Sequence, residues 1–427
     1  MAAGWSTRRT VATWLLVVLV VAALSHIPWL YHRLYLGSAA PFAARLYPRL
    51  NLGLLAAGVF AAMLVWGAPR AAARLAWHPL LAVSSLAAAA FATVLALNDG
   101  WHVLAGHISG PFQQWNDLPS VRQLGLHRFL QYYVRDLPHY AVHSQGHPPG
   151  SLLIEYGFDR LGLPSAGATA TLVLLAAGSA VAAVAIVVRL LVDEATARQA
   201  LPFLVLAPYA VWVATTMDAL FMAVCAWAVG LVALAVRSDG RRRAACAAGA
   251  ALLCACALML SYGLLALGLV MVAVAIGGRR RLPVLAGVGA GTAALLALVG
   301  LTGFWWLDGL RATHHAYVST VASVRPYLYF LVADLVVLSV MVGPAVLAGA
   351  SWLRDRRLLL LVGAAAVAVL LVDVSGYTKG EVERIWLPYA LWLVPVAAAL
   401  PVARQRQWLA LQATTTLLLQ AFLVSFW

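Results

Sequence analysis

Stretches of roughly 17 to 25 consecutive apolar residues recur from one end of this chain to the other, and each is long enough to cross a hydrocarbon core of about 30 Å as a helix. In lipid every backbone N–H and C=O must be satisfied within the chain, which leaves a helical bundle as the fold such stretches permit. Hydropathy places them at 11–31, 51–66, 79–97, 165–191, 198–215, 219–236, 244–261, 263–278, 283–304, 326–350, 357–374, 386–403 and 408–425, about thirteen spans. Of the 427 residues 63% are hydrophobic and only 10% charged, a balance that excludes a soluble enzyme carrying one anchor. The expected fold is a single all-α polytopic membrane domain covering residues 1–427.

The formal charge of +14 raises the question of nucleic acid. The arginines, however, stand in short clusters between apolar spans, not along one basic face, so no nucleic-acid partner is expected. The clusters Arg8 and Arg9, Arg70 and Arg74, 237–243, 279–281, 354–357, and Arg404 with Arg406 read instead as cytoplasmic, by the positive-inside preference. The N-terminal apolar run is too long for a typical signal peptide and is expected to be retained. Cys225, Cys246, Cys254 and Cys256 all fall inside apolar spans and read as small core residues. "GVGAGTAA", 287–294, lies within a span and follows no strand, so its glycines read as helix-packing positions.

Acidic residues gather in the loops that this topology assigns to the outside. The first in the chain is Asp99, which opens the one long outer loop, 98–164. Within it, "LHRFLQYYVRDLPHY" sets Leu126, Phe129, Leu130, Tyr133, Val134 and Leu137 on one helical face ended by Pro138. This amphipathic helix is expected to lie flat in the membrane interface, or else to pack on the bundle. "HSQGHPPG", 143–150, follows. His143 and His147 are four apart, but Gly146 and Pro148-Pro149 favour a turn or extended segment over a helix that would pair them on a metal. Shorter outer loops are expected at 305–325 and 375–385. The second holds "SGYTKGEVERIW", with the chain's one lysine, Lys379, and Arg384; the alternatives are phosphate binding and neutralisation by Glu381 and Glu383. His102, His314, His315 and Tyr317 are further outer residues able to complete a pocket, and Asp334, inside a span, must be paired or line an aqueous cavity.

A first acidic residue at the outer end of an early span, a long outer loop with juxtamembrane helices, a Pro-Pro element, and then Asp218 in "TTMDALFM" together resemble the GT-C membrane glycosyltransferases. The nearest branch is the protein-mannosyltransferase and aminoarabinose-transferase type. The resemblance covers mainly 97–237. The chain departs from the pattern in three ways: two spans precede the one leading to Asp99, Gly follows the Pro-Pro pair where Leu is usual, and no Asp-x-Asp pair is present. The resemblance implies transfer of a sugar from a polyprenyl-phosphate donor to a hydroxyl on a glycolipid, cell-wall glycan or protein, at the outer face of the cytoplasmic membrane.

In that chemistry Asp99 is the candidate general base, because a carboxylate partly desolvated at the membrane boundary is suited to take the acceptor's proton. His102, His143, His147, Asp218, Lys379, Arg384 and Tyr317 are the candidate substrate-binding residues, with Lys379 and Arg384 on the leaving phosphate. No cofactor is firmly indicated, and a divalent metal has no motif of its own. The competing readings are a transporter or lipid flippase, and a membrane acyltransferase using His143 or His147.

Overall fold

The computed structural model describes residues 2–426, with side chains from Arg9 onward, and is helical almost throughout. Among the described residues seven helices are long and apolar enough to cross a membrane singly: Leu52–Arg74, Trp77–Asp99, Ser165–Leu191, Met217–Ala235, Gly240–Leu260, Arg281–Gly300 and Arg356–Val374. Three bent pairs, Arg9–Ser25 with Pro28–Leu34, Tyr327–Val342 with Pro344–Ala350, and Leu387–Ala399 with Val402–Phe422, raise the number to ten if each is one span. The protein is thus a multi-pass helical membrane protein.

The expected thirteen spans resolve differently because hydropathy records apolarity and not helical continuity. The run at 198–215 contains Pro202 and becomes a helix over Glu194–Val205 followed by a tighter turn, while 263–278 becomes the shorter Tyr262–Ile276. The two last expected spans form one pair bent by 110°. The break in the 326–350 run falls at Gly343, whose φ of 84° is open to glycine at little cost. Buried Gln412 satisfies the backbone groups freed there: its Nε2 donates to the Val342 carbonyl at 2.6 Å, and its Oε1 accepts from the Ala345 amide at 3.1 Å.

Small residues let the central helices approach. Gly178 packs so closely on Ser85 and Ala89 that a Cβ would lie 2.5 Å from the Ser85 carbonyl oxygen, and Gly291 of the "GVGAG" run sits against Ala251. The four cysteines are free thiols in helices. Among the described residues one strand pair forms: Ala44–Leu46 pairs antiparallel with Leu423–Ser425, tying the loop after the first bent pair to the C-terminal segment.

The two ends of the bundle differ. At one, Arg198 donates to the carbonyls of Ala72 and Leu75, Arg237 to Val274, and Arg357 to Leu191, while Arg406 and Arg70 both lie over Trp66. At the other, the three long connections meet: Thr313 donates to the Gln145 carbonyl at 2.9 Å, Lys379 to the Ser323 carbonyl at 2.6 Å, and Gly303 abuts Gln131. The basic clusters and the loop assembly therefore occupy opposite ends.

Candidate functional site

The helix expected from the 126–137 pattern forms over Leu126–Asp136 and stops before Pro138. Its apolar face does not lie open to lipid. Phe129, Leu130 and Tyr133 are buried against Leu118, Val121, Leu152 and Phe304, so the helix packs on protein, and the interfacial expectation gives way to a cap seated on the bundle. The Tyr133 hydroxyl reaches the carbonyls of Ser144 at 2.9 Å and His147 at 3.0 Å, clamping "HSQGHPPG" from above.

That segment is neither wholly extended nor a continuous helix. Val142–Gly146 makes one helical turn, His147 is extended, and Pro149 precedes the helix Gly150–Arg160. Gly150, the residue after the Pro-Pro pair, has a specific steric reason: a Cβ there would stand 2.2 Å from the Met259 carbonyl oxygen. Asp117 holds the turn from below, accepting from the Ala141 amide and the Ser144 hydroxyl, and burial holds its carboxyl above the usual range. The short turn brings His143 and His147 side by side with ring centroids 6.3 Å apart.

Both rings line a small polar cavity of about 10 Å³, whose other walls include His107, Gln113, Gln114, Thr215, Thr216, Asp218, Phe221 and Arg384. It has room for one water or a hydroxyl-sized group. Asp218 lies in the first turn of Met217–Ala235, where the helix dipole favours a carboxylate. Arg384 donates to Asp218 at 2.9 Å, and both side chains are 7% exposed. Its second terminal nitrogen donates to Glu381 at 3.0 Å and stands 3.5 Å from His143 Nε2. Glu381 also accepts from Arg325, which is itself buried and gripped by the carbonyls of Leu34, Tyr35 and Lys379. Two arginines and two carboxylates thus form one buried chain with balanced charge.

The imidazoles are held in defined orientations. His147 Nδ1 lies 2.9 Å from the His143 carbonyl, an acceptor, so this nitrogen carries the hydrogen and the neutral ring presents a lone pair at Nε2. His143 Nδ1 meets Gln113 Oε1 at 2.8 Å and its Nε2 faces Arg384, an arrangement suited to the neutral form. Burial, reinforced for His143 by Arg384, holds both below the ordinary histidine range; for His147, Asp218 pulls the other way.

Of the residues singled out from sequence, His143, His147, Asp218 and Arg384 converge. Asp99 does not line the cavity. Its carboxylate is bound by Arg49, whose other nitrogen holds the carbonyls of Gln420 and Leu423, and its influence on the cavity wall is electrostatic, through His107. His102 is exposed. Lys379 and Tyr317 form a neighbouring group with Tyr377 and His314: Lys379 Nζ lies 5.9 Å from the Tyr317 ring, Tyr317 donates to the Gly376 carbonyl, and Tyr377 meets His314 at 2.7 Å. Lys379 and Arg384 therefore do not grip one point together. Glu381 is the residue that neutralises Arg384, while Glu383 instead accepts from the Ala43 amide. Asp334 accepts from the Gly380 amide and is paired in that sense. His315 is exposed beside His314.

Sequence reasoning missed Arg325, Glu381 as a bridge, Gln113, His107 and Asp117. Arg325 carried a readable signal, since it stands in a loop assigned to the outside, the same anomaly that singled out Arg384. Among the described residues no cluster of three or more His, Cys, Asp or Glu side chains is arranged to hold a metal ion. Compared with known proteins, the chain matches no family model and no curated protein. Fold and site together define a multi-pass helical membrane protein with a capped polar cavity at the end of the bundle opposite its basic clusters.

Proposed function

We propose that the protein is a membrane glycosyltransferase of GT-C type, moving a sugar from a polyprenyl-phosphate donor to a hydroxyl on a glycolipid, cell-wall glycan or protein. The observation that carries this reading is the buried Arg384, held by Asp218 and Glu381 beside two oriented imidazoles, beneath an ordered cap at the ends of apolar helices. By the positive-inside preference the end bearing the arginine clusters faces the cytoplasm, which puts the cavity at the outer face of the cytoplasmic membrane.

A lipid-borne phosphate would approach Arg384 along the bilayer. The guanidinium can meet it because Glu381 has a second cation, Arg325, to retain it when one edge of Arg384 is taken over. Charge developing on the leaving phosphate then falls beside a fixed guanidinium in a site with little water, where an electrostatic contact counts most. Lys379, Tyr317 and the exposed His102 lie farther out and would meet the rest of the substrates. The cavity itself admits only a hydroxyl-sized group, so the sugar ring and the phosphate must both stand at its mouth, toward the loops.

Protein in lipid nanodiscs is to be offered radiolabelled polyprenyl-phosphate sugars together with lipid and glycan acceptors. Transfer is expected from the wild type and is expected to fall at least about 100-fold in Arg384→Gln. Absence of transfer from every donor, or an unaffected Arg384→Gln, sinks the reading. The transporter alternative draws on the three bent pairs, since discontinuous helices often frame ion sites. At Gly343 the freed backbone is already satisfied by Gln412, which leaves that break no need of an ion. The acyltransferase alternative rests on the same histidines, and labelled acyl donors in the panel distinguish it.

A further inference from the structure

We propose that His147, and not Asp99, is the group that takes the proton from the acceptor hydroxyl. The inference rests on the sugar-transfer reading and narrows it to one atom, Nε2. A general base needs a lone pair, a fixed orientation and access to the proton it removes. His147 meets all three conditions: Nδ1–H is committed to the His143 carbonyl, the Tyr133 hydroxyl fixes its own carbonyl, the ring lies 5.7 Å from that of Phe221, and it lines the cavity.

The other titratable groups on the wall are less suited. Asp218 is bound to Arg384, and His143 faces Gln113 with one nitrogen and Arg384 with the other. His107 faces the field of Asp99 and, among the described residues, no partner sets its tautomer; Asp99 stands outside the cavity in its contact with Arg49.

The step balances without a further reagent. The acceptor oxygen forms a bond to the anomeric carbon as that carbon's bond to the phosphate oxygen breaks, and the electron pair leaves on the polyprenyl phosphate. The hydroxyl proton passes to His147 Nε2, giving an imidazolium that Asp218 across the cavity steadies and that later releases the proton to water. Arg384 and His143, facing the same space, oppose a standing positive charge and return the ring to its neutral form.

His147→Asn separates the two nitrogens, because the Asn amide N–H can keep the bond to the His143 carbonyl while nothing replaces Nε2. The assay measures sugar transfer from pH 5 to 9 for wild type, His147→Asn, His107→Asn and Asp99→Asn, with donor binding and melting temperature followed in each. If His147 is the base, its variant loses roughly 10²–10⁴-fold in rate with donor binding intact. The wild-type rate then holds across neutral pH and drops on the acid side below the ordinary histidine value of about 6.5, and this acid limb disappears from the residual activity of His147→Asn. Asp99→Asn stays within about tenfold of wild type, and both it and His107→Asn keep the acid limb. If the wild type transfers sugar and His147→Asn stays within a few-fold with the same pH profile, the assignment is overturned and the transferase reading stands. If the wild type transfers no sugar from any donor, both fall together. Should His147→Asn melt far below the wild type, His147→Gln, which replaces the opposite nitrogen, must show the same loss for the proposal to hold.

Discussion

Arg384 carries its charge where water cannot balance it, and the nearby carboxylates are its substitute for solvent. Removing the guanidinium leaves Asp218 buried and alone, which costs about 3–5 kcal/mol, whereas removing both charges leaves a neutral gap. Arg384→Leu is therefore expected to lower the thermal midpoint in nanodiscs markedly, and the Arg384→Leu, Asp218→Asn double variant to recover part of the loss. Equal destabilisation of single and double variants would mean that the pair is not the coupled unit described. Glu155 gives a second test. It is buried beneath the cap with no hydrogen-bond partner for Oε2, and burial, with Asp117 adding to it, pushes its carboxyl up to about 8 from the ordinary 4.5. The folded state holds this proton more tightly than the unfolded chain, so its contribution to stability is complete below about pH 4.5 and declines as the pH rises through about 8. Glu155→Gln should accordingly gain on the wild type in melting temperature between pH 5 and 9, most at the alkaline end; a constant difference across that range would show that Glu155 does not titrate there.

At the level of elements, the turn 143–149 is held by hydrogen bonds rather than by its own helix. Tyr133→Phe deletes the contacts to the Ser144 and His147 carbonyls and should speed amide exchange across 141–149 while leaving the distant helix Leu52–Arg74 unchanged. Gln412→Leu should destabilise by roughly 1–3 kcal/mol for each of the two backbone groups it orphans at Gly343, read as a lower melting temperature. These same features mark where sequence reading succeeds and where it stops. The helix Leu126–Asp136 was legible because a 3.6-residue period followed by proline has few other solutions, yet periodicity could not say what covers its apolar face. Helices such as Ser165–Leu191 were legible from length and apolarity, whereas the bend at Gly343 depends on Gln412, sixty-nine residues away in sequence, and no local pattern records it. In the site, Asp218 and Arg384 could each be picked out as charges in apolar surroundings, but Asp99 has the same signature and is bound to Arg49 instead. Pairing between distant residues is what composition and spacing do not encode.

For the molecule as a whole, the separation of its two ends makes the proposed topology testable. Arginines at 198, 237, 357 and 406 gather at one end, bound to carbonyls and ring faces, while the connections around His143, Thr313, Ser323 and Arg384 gather at the other. Moving the arginine-rich end across a membrane is disfavoured, so the proposed orientation, with that end in the cytoplasm, is the one that the positive-inside preference favours. Asp239 sits in the basic connection before Gly240–Leu260, and Ser319 follows the helix Trp306–Val318 at the loop end; both are exposed. With the four native cysteines replaced by alanine, Ser319→Cys in right-side-out vesicles should react with a membrane-impermeant maleimide, and Asp239→Cys only after the vesicles are opened. The reverse pattern would place the cavity toward the cytoplasm, where a nucleotide-activated donor rather than an outward-facing lipid-linked one could reach it. Equal labelling of both positions from one side would contradict the separation of the two ends, and with it the placement of cap and basic clusters across the bilayer.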